Sequence, residues 1–365
     1  MHPENFLKQL IHPLFNTGRT RQILQVNPTI QPIRHEASEI KICVYDYNGE
    51  HVEEQELKAV DALIKYRDNE NVSWINIDGL KKNEIEAVCR HFCIHGLIVE
   101  DILSVGQRPK MDEIDDILYC LLNMLYFNER SCSVEIEQIS IVLGKNFVIT
   151  FQEDAERDVF NTLREKLKLN HSRLRHKGAD YLCYNLLDMI VDHYFVVMEK
   201  LGEKIEFLEE EIIRQSTVRS LAKINNFRKE VMVLRRNVGP VRDIINGFTK
   251  SESELLDESI KKYFKDVYDH INQANDLVDN YRDILNNLQE LYISKVNLKM
   301  NEVMKVMAVV TCLLAPAMVI GGIFGMNFQV IPFHDSHWAF YTTVLLMLFI
   351  IPGIMMVIFK KRGWF

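Results

Sequence analysis

The chain has 365 residues, 47% hydrophobic and 26% charged, with a formal net charge of −8. That length accommodates a soluble domain of ordinary size plus a membrane part, and a mean hydropathy near zero excludes a mostly membranous protein. The acidic excess argues against a nucleic-acid partner, because phosphate binding needs clustered Lys and Arg.

The N-terminal stretch MHPENFLKQLIHPLF has no continuous apolar core of signal-peptide length, so the residues before the first apolar run are not expected to be exported. Seven scattered cysteines, Cys43, Cys89, Cys93, Cys120, Cys132, Cys183 and Cys312, suit a reduced compartment better than a disulfide framework. Strands are expected over 39–47, 72–78, 117–125, 135–143 and 147–152, with Gly144-Lys145-Asn146 as a hairpin turn. Short helices are expected at Asn83–His91 and Ile98–Leu103. Cys89-Arg90-His91-Phe92-Cys93-Ile94-His95 matches no common structural zinc spacing, and buried helix cysteines are the simpler reading.

Residues 155–176 look helical. A further helical region runs from Gly178 to Val238, where Gly239-Pro240 is expected to break it. Strands first and long helices after give an α+β domain over residues 1–250. From Ser251 to Ala315 there is neither glycine nor proline, and Phe264, Val267, Ile271, Ala274, Val278 and Tyr281 recur at helical spacing. At 1.5 Å per residue such a helix is a rod of roughly 100 Å. It supplies a stalk over 251–305 that enters the next segment without a linker. A rod can transmit movement, or simply tether.

Val306–Phe324 and Trp338–Phe359 carry no charge, and each is long enough for a bilayer core of ~30 Å. They are expected to be two transmembrane helices, in which Pro316, Pro352 and Gly353 are tolerated. Lys299 and Lys305 precede the first run; Lys360, Lys361 and Arg362 follow the second, in a basic tail over 360–365. The loop 325–337 has neither Lys nor Arg. Both termini are therefore expected in the cytoplasm of a multi-pass protein of the cell (inner or plasma) membrane.

Two helices cannot enclose an aqueous path, so conduction requires several copies around an axis. Asn301, Met304, Ala308, Thr311, Ala315, Met318 and Gly322 form one stripe of small, polar or flexible side chains. Such a stripe suits a pore lining and a helix–helix contact equally. The span ends in Gly325-Met326-Asn327. A ring of Asn327 carbonyl oxygens could hold a hydrated Mg²⁺ without stripping its waters, and a helix C-terminal cap is the plainer alternative. No Gly-rich phosphate loop and no Ser/His/Asp arrangement is evident, so the chain reads as neither an enzyme nor a protein with an organic cofactor.

The stretch NEVMKVMAVVTCLLAPAMVIGGIFGMNF, residues 301–328, closely resembles the first span and signature of the CorA family of divalent-cation channels. VEDILSVGQRPK (99–110), KGADYLCYNLLDMIVDHYF (177–195) and YFKDVYDHINQANDLVDNYRDIL (263–285) resemble CorA segments too. The resemblance implies a funnel-shaped homopentamer whose α+β head is an αβα sandwich. It implies a pore lined by Asn301, Met304, Met307, Ala315, Met318 and Gly322, with Gly325, Met326 and Asn327 at the outer mouth. It also implies regulatory cation sites between cytoplasmic domains, on Asp101 and Asp266, with Glu100, Asp188 and His270 nearby.

The function so implied is passive uptake of Mg²⁺, with Co²⁺ and Ni²⁺ as further cargo, closed by high cytoplasmic Mg²⁺. Ala315 and Phe324 depart from the usual bulkier residue and tyrosine. The loop lacks the acidic motif of many relatives and carries His334, Asp335 and His337 instead. Imidazole suits Co²⁺, Ni²⁺ and Zn²⁺ better than Mg²⁺. A Zn²⁺ transporter of the same superfamily, proton-coupled or not, is therefore the alternative. A membrane-anchored scaffold without transport is a weaker one.

Overall fold

The computed structural model describes residues 37, 39–154, 157–326 and 337–364. The chain divides into two compact units, Met1–Leu288 and Gln289–Phe365.

The first unit is built on a seven-stranded sheet in the order β2-β1-β3-β7-β6-β5-β4. The strands are β1 (Lys41–Tyr47), β2 (Val52–Leu57), β3 (Val72–Asp78), β4 (Lys110–Ile114), β5 (Ile117–Asn128), β6 (Ser133–Leu143) and β7 (Phe147–Gln152). β3 and β7 run parallel, and the remaining pairings are antiparallel. The expected hairpin joins β6 to β7, with Gly144 N donating to Phe147 O at 2.9 Å.

Side chains alternate between the two faces of each strand. One face, carrying Val44, Ile75, Ile77 and Tyr119, packs on helices α1 (Lys82–His91) and α2 (Gly96–Leu103). The opposite face meets α4 (Ala179–Arg214) and α5 (Val218–Lys250). There Tyr194 Oη donates to Asn123 O, and Asn123 Nδ2 to Asn237 Oδ1, both at 2.7 Å. The result is the expected helix–sheet–helix sandwich.

One set of buried polar groups inside the sheet is paired in series, which offsets the cost of their burial. Trp74 Nε1 donates to Thr150 Oγ1 at 3.1 Å, Thr150 Oγ1 to Asn76 Oδ1 at 2.7 Å, and Asn76 Nδ2 to Asp78 Oδ1 at 2.9 Å. The chain of bonds ties β3 to its parallel neighbour β7.

Four readings of the sequence change. β2 (VEEQEL) and β4 (KMDEI) were not anticipated. Both are edge strands, where charged side chains face water and no apolar run marks them. Within 155–176 the described helical elements are α3 (Asn161–Lys168) and a 3₁₀ turn (Arg173–His176), short pieces rather than one helix.

Gly239-Pro240 does not end a helix, because α5 runs through it. Pro240 deletes one backbone bond, but Val238, Pro240, Val241, Ile244 and Ile245 are all buried, so packing outweighs that loss. The break falls instead at Gln215–Thr217. There Thr217 Oγ1 accepts from Ser220 N at 3.2 Å and Ser220 Oγ from Thr217 N at 3.4 Å, a reciprocal cap. The long helix α6 (Glu258–Phe324) starts later than Ser251, after Asp257 Oδ1 accepts from Ser259 N at 2.7 Å.

The second unit contains the end of α6, then α7 (His337–Leu345), a π-helical turn (Leu346–Ile350) and α8 (Ile351–Lys361). Among the described residues, two helices are long and apolar enough to cross a membrane. The π turn directly precedes Pro352, whose ring clashes with the carbonyl one turn back. A wider turn there removes the clash.

Candidate ion path and cation cluster

In the second unit the apolar end of α6 has a covered side and an open side. Val309 is buried, and Lys305, Cys312, Pro316 and Ile320, at spacings of one turn, are partly covered. Lys305 Nζ reaches Gly363 O in the tail at 3.1 Å. By contrast Asn301, Met304, Met307, Ala308, Thr311, Met318 and Gly322 are exposed; Ala315 is half-buried. Met307 and Met318 stand 64% and 62% exposed. Thr311 Oγ1 donates to Met307 O at 2.9 Å, leaving its oxygen free to accept. Val306, Val310, Leu314, Val319 and Ile323 are exposed as well, so most of this helix is left bare by its own chain and can meet other copies, lipid or an aqueous path.

α6 ends where Gly325 N donates to Gly321 O at 3.0 Å and Met326 N to Ile323 O at 3.3 Å. A Cβ on Gly325 would lie 2.9 Å from Gly321 O, so this turn needs glycine. Met326 is exposed. Asn327, His334 and Asp335 lie outside the described residues, and His337 opens α7.

In the first unit the structure gathers Asp188 and Asp192 of α4 with His270 of α6, their ligand atoms all within 4.8 Å of one another. His270 Nδ1 lies 3.7 Å from Asp192 Oδ1 and has no hydrogen-bond partner. Tyr184 Oη donates to Asp188 Oδ2 at 3.5 Å. Burial pushes the Asp188 carboxyl above its ordinary value, and the negative fields of Asp192 and Asp266 add to this. Two carboxylates and an imidazole nitrogen suit a divalent cation, which would relieve that repulsion. The unpaired His270 nitrogen fits such a role.

Asp192 was not singled out from the sequence. Its spacing of one turn from Asp188 on the same helix face was the available signal.

Asp101 and Glu100 lie on α2, on the opposite face of the sheet from α4. Asp101 Oδ2 pairs with Lys110 Nζ at 2.6 Å, and its backbone oxygen accepts from Gln138 Nε2 at 3.2 Å. Burial disfavours the Lys110 charge, but Asp101 and Asp112 outweigh it and hold the amine above its usual pKa. Glu100 is exposed. One chain therefore brings Asp188 and His270 together, with Asp266 one turn from His270, and leaves Asp101 paired elsewhere.

A family model described as CorA-like Mg²⁺ transporter protein matches residues 69–361. The chain is 36% identical over 327 residues to the cobalt/magnesium transport protein CorA of Thermotoga maritima, covering 89% of this chain and 93% of that one. It is 29% identical to a putative metal ion transporter, YfjQ, of Bacillus subtilis, covering 80% and 89%. Among solved structures, the complete CorA magnesium transporter from Methanocaldococcus jannaschii aligns with a TM-score of 0.73 at 21% identity, covering 92% of this chain and all of that one. The ZntB cytoplasmic domain from Vibrio parahaemolyticus aligns with a TM-score of 0.54 at 16% identity, covering 71% and 99%. The structural likenesses speak to the fold alone.

Proposed function

The chain belongs to the CorA-like Mg²⁺ transporter family, and from that premise we propose that it is a homopentameric channel for divalent cations, with Mg²⁺ as the main cargo and Co²⁺ and Ni²⁺ as others. The observation that carries this reading is the open stripe on α6, from Asn301 to Gly322, ending in the glycine-dependent turn before Asn327. Copies of that stripe around an axis give a narrow path. Met304 and Met307 make it apolar at one level, a constriction that can close by dewetting. Asn327 oxygens at the mouth hydrogen-bond to the water shell of the ion.

No chemical fuel is needed. An inside-negative potential contributes about 2.3 kcal/mol per charge per 100 mV, twice over for a divalent ion.

Closure by cytoplasmic Mg²⁺ follows from the acidic groups. Asp101 of one subunit facing Asp266 of the next, with Glu100, Asp188 and His270 close by, would repel until a cation bridges them. The ion then favours whichever arrangement binds it more tightly. Both termini lie in the cytoplasm on this reading.

The test is cation flux into proteoliposomes carrying wild type or Asn327→Ala. Mg²⁺, Co²⁺ and Ni²⁺ flux should change in rate or selectivity, and unchanged flux in the variant would falsify the selectivity role. His334 and His337 beside the mouth favour a second reading, a Zn²⁺ carrier. Zn²⁺ flux driven by an imposed proton gradient would select it.

A further inference from the structure

Where the second span ends, the chain turns back on the first. Gly363 takes φ +70°, which glycine adopts without strain. Gly363 N donates to Lys360 O at 3.1 Å and Trp364 N to Phe359 O at 3.0 Å, the bond pair of a Schellman turn. Trp364 stacks on Phe359, with ring centroids 5.2 Å apart. Lys305 Nζ donates to Gly363 O at 3.1 Å. A cation in that position also meets the negative end of the α8 dipole. One charged hydrogen bond thus ties α6 to the end of α8. Val309, one turn further along α6, is buried on the same side. At about 100° per residue, Lys305 and Met307 project from nearly opposite sides of α6. Lys305 is partly covered by its own chain, whereas Met307 is open.

We propose that the strap between Lys305 and Gly363 positions the methionine constriction, holding α6 outward against α8 at that level. The inference rests on the pore reading above, in which Met304 and Met307 face the axis. The strap then lies behind α6, on the side away from the path. Methionines that face one another across a dewetted path attract, because closure removes apolar surface from water. That attraction draws α6 inward, and the strap opposes it. The strap depends on the donor charge of Lys305 and on the left-handed backbone at Gly363.

The test is Mg²⁺ influx into proteoliposomes at low internal Mg²⁺, with the full-length protein. Lys305→Met should lower influx roughly three- to tenfold, the range of one solvent-exposed hydrogen bond. Gly363→Ala should lower it as well, because alanine is strained at that φ. Lys305→Arg keeps the donor and Gly363→Asn tolerates the left-handed backbone, so each should keep influx near wild type. Lys305→Met/Gly363→Ala should be no slower than the slower single variant, since both changes cut one bond. Higher influx in Lys305→Met, with Gly363→Ala unchanged, means that the lysine acts only as a charge repelling cations, and overturns the strap. Unchanged influx in both single variants, or additive losses in the double variant, overturns it too. A readout without transport separates this from the pore reading. Of the three tryptophans, Trp74 is buried and Trp338 is exposed. In a Trp338→Phe background, acrylamide therefore reports Trp364, which borders α6 beside Ala308. Lys305→Met should raise its quenching and Lys305→Arg should not. Equal quenching overturns the strap whether or not the protein conducts, whereas Asn327→Ala tests the mouth alone.

Discussion

Lys110 Nζ lies 2.6 Å from Asp101 Oδ2 and 3.2 Å from Asp112 Oδ2. The proposed regulatory carboxylate on α2 thus already has a cation beside it. A divalent ion arriving at Asp101 has to displace that ammonium or share the oxygen with it. Partly exposed pairs of this kind contribute up to about 1 kcal/mol. Lys110→Gln should therefore lower the Mg²⁺ concentration that half-inhibits flux by roughly two- to fivefold. A dose–response of inhibition in proteoliposomes checks this, and an unchanged midpoint would remove Asp101 from the sensing site.

The Asp188–Asp192–His270 cluster should bind cations in proportion to its charge. Mg²⁺ or Co²⁺ should raise the melting temperature of wild type, by about 2.7 kcal/mol of stability at a hundredfold excess over Kd. Asp188→Asn and His270→Ala should each blunt the rise, His270→Ala more for Co²⁺ than for Mg²⁺ because imidazole prefers the softer ion. The Asp188 carboxyl holds its proton more tightly than an ordinary aspartate, through burial first and then Asp192. The ion must displace that proton, so protection should fade on acidification, starting above the usual carboxylate range. Melting curves with and without metal across pH test this.

Glu137 is a second titrating group, buried on β6. It accepts from Glu153 N at 3.1 Å and Asp154 N at 2.9 Å where β7 leaves the sheet, while its Oε2 has no partner. Burial raises its pKa from 4.5 to about 7, against the pull of those backbone donors and Tyr126. The folded protein thus holds this proton more tightly than the unfolded chain. The contribution is fully present below the ordinary carboxyl range and is lost as pH rises through about 7. It amounts to about 3 kcal/mol. Glu137→Gln keeps an acceptor for both donors and has no proton to lose. The variant should match wild type at pH 5 and melt higher at pH 8. Equal pH dependence of the two proteins would contradict this.

Gly202 on α4 lets α6 approach. A Cβ there would stand 2.5 Å from Tyr281 Oη, which donates to Met198 O at 3.0 Å. Gly202→Ala should displace the half-buried tyrosine and break that bond, costing about 1–3 kcal/mol despite better helix propensity. Gly202→Ala with Tyr281→Phe should recover part of the loss. Denaturant unfolding of both variants measures it.

The strands with apolar runs, β3 and β7 among them, were legible residue by residue, because burial on both faces demands such runs. The presence of α6, without a glycine or proline before Pro316, and of two apolar helices was legible too, but not the residue at which α6 begins. A bilayer or a core acts on composition and period, and both are written locally. The motif and stripe stand in one continuous segment, so spacing alone puts them on one run of the chain, and their role in conduction remains the proposal made above. The cation cluster joins α4 to α6, and local spacing, which pairs Asp192 with Asp188, does not say that either meets His270.

Tertiary packing decided the remainder. Pro240 stays inside a helix because its neighbours are buried on the sheet, a force that a local rule for proline does not contain. The edge strands β2 and β4 pair through backbone groups, which carry no sequence signature. Lys305 meets the carbonyl of Gly363 because the chain turns back at that glycine. The sequence by itself determined where apolar surface must be buried and which turn closes the first span. The fold decided which charges, distant along the chain, meet. Coulomb energy depends on distance in space, and only a folded chain sets that distance.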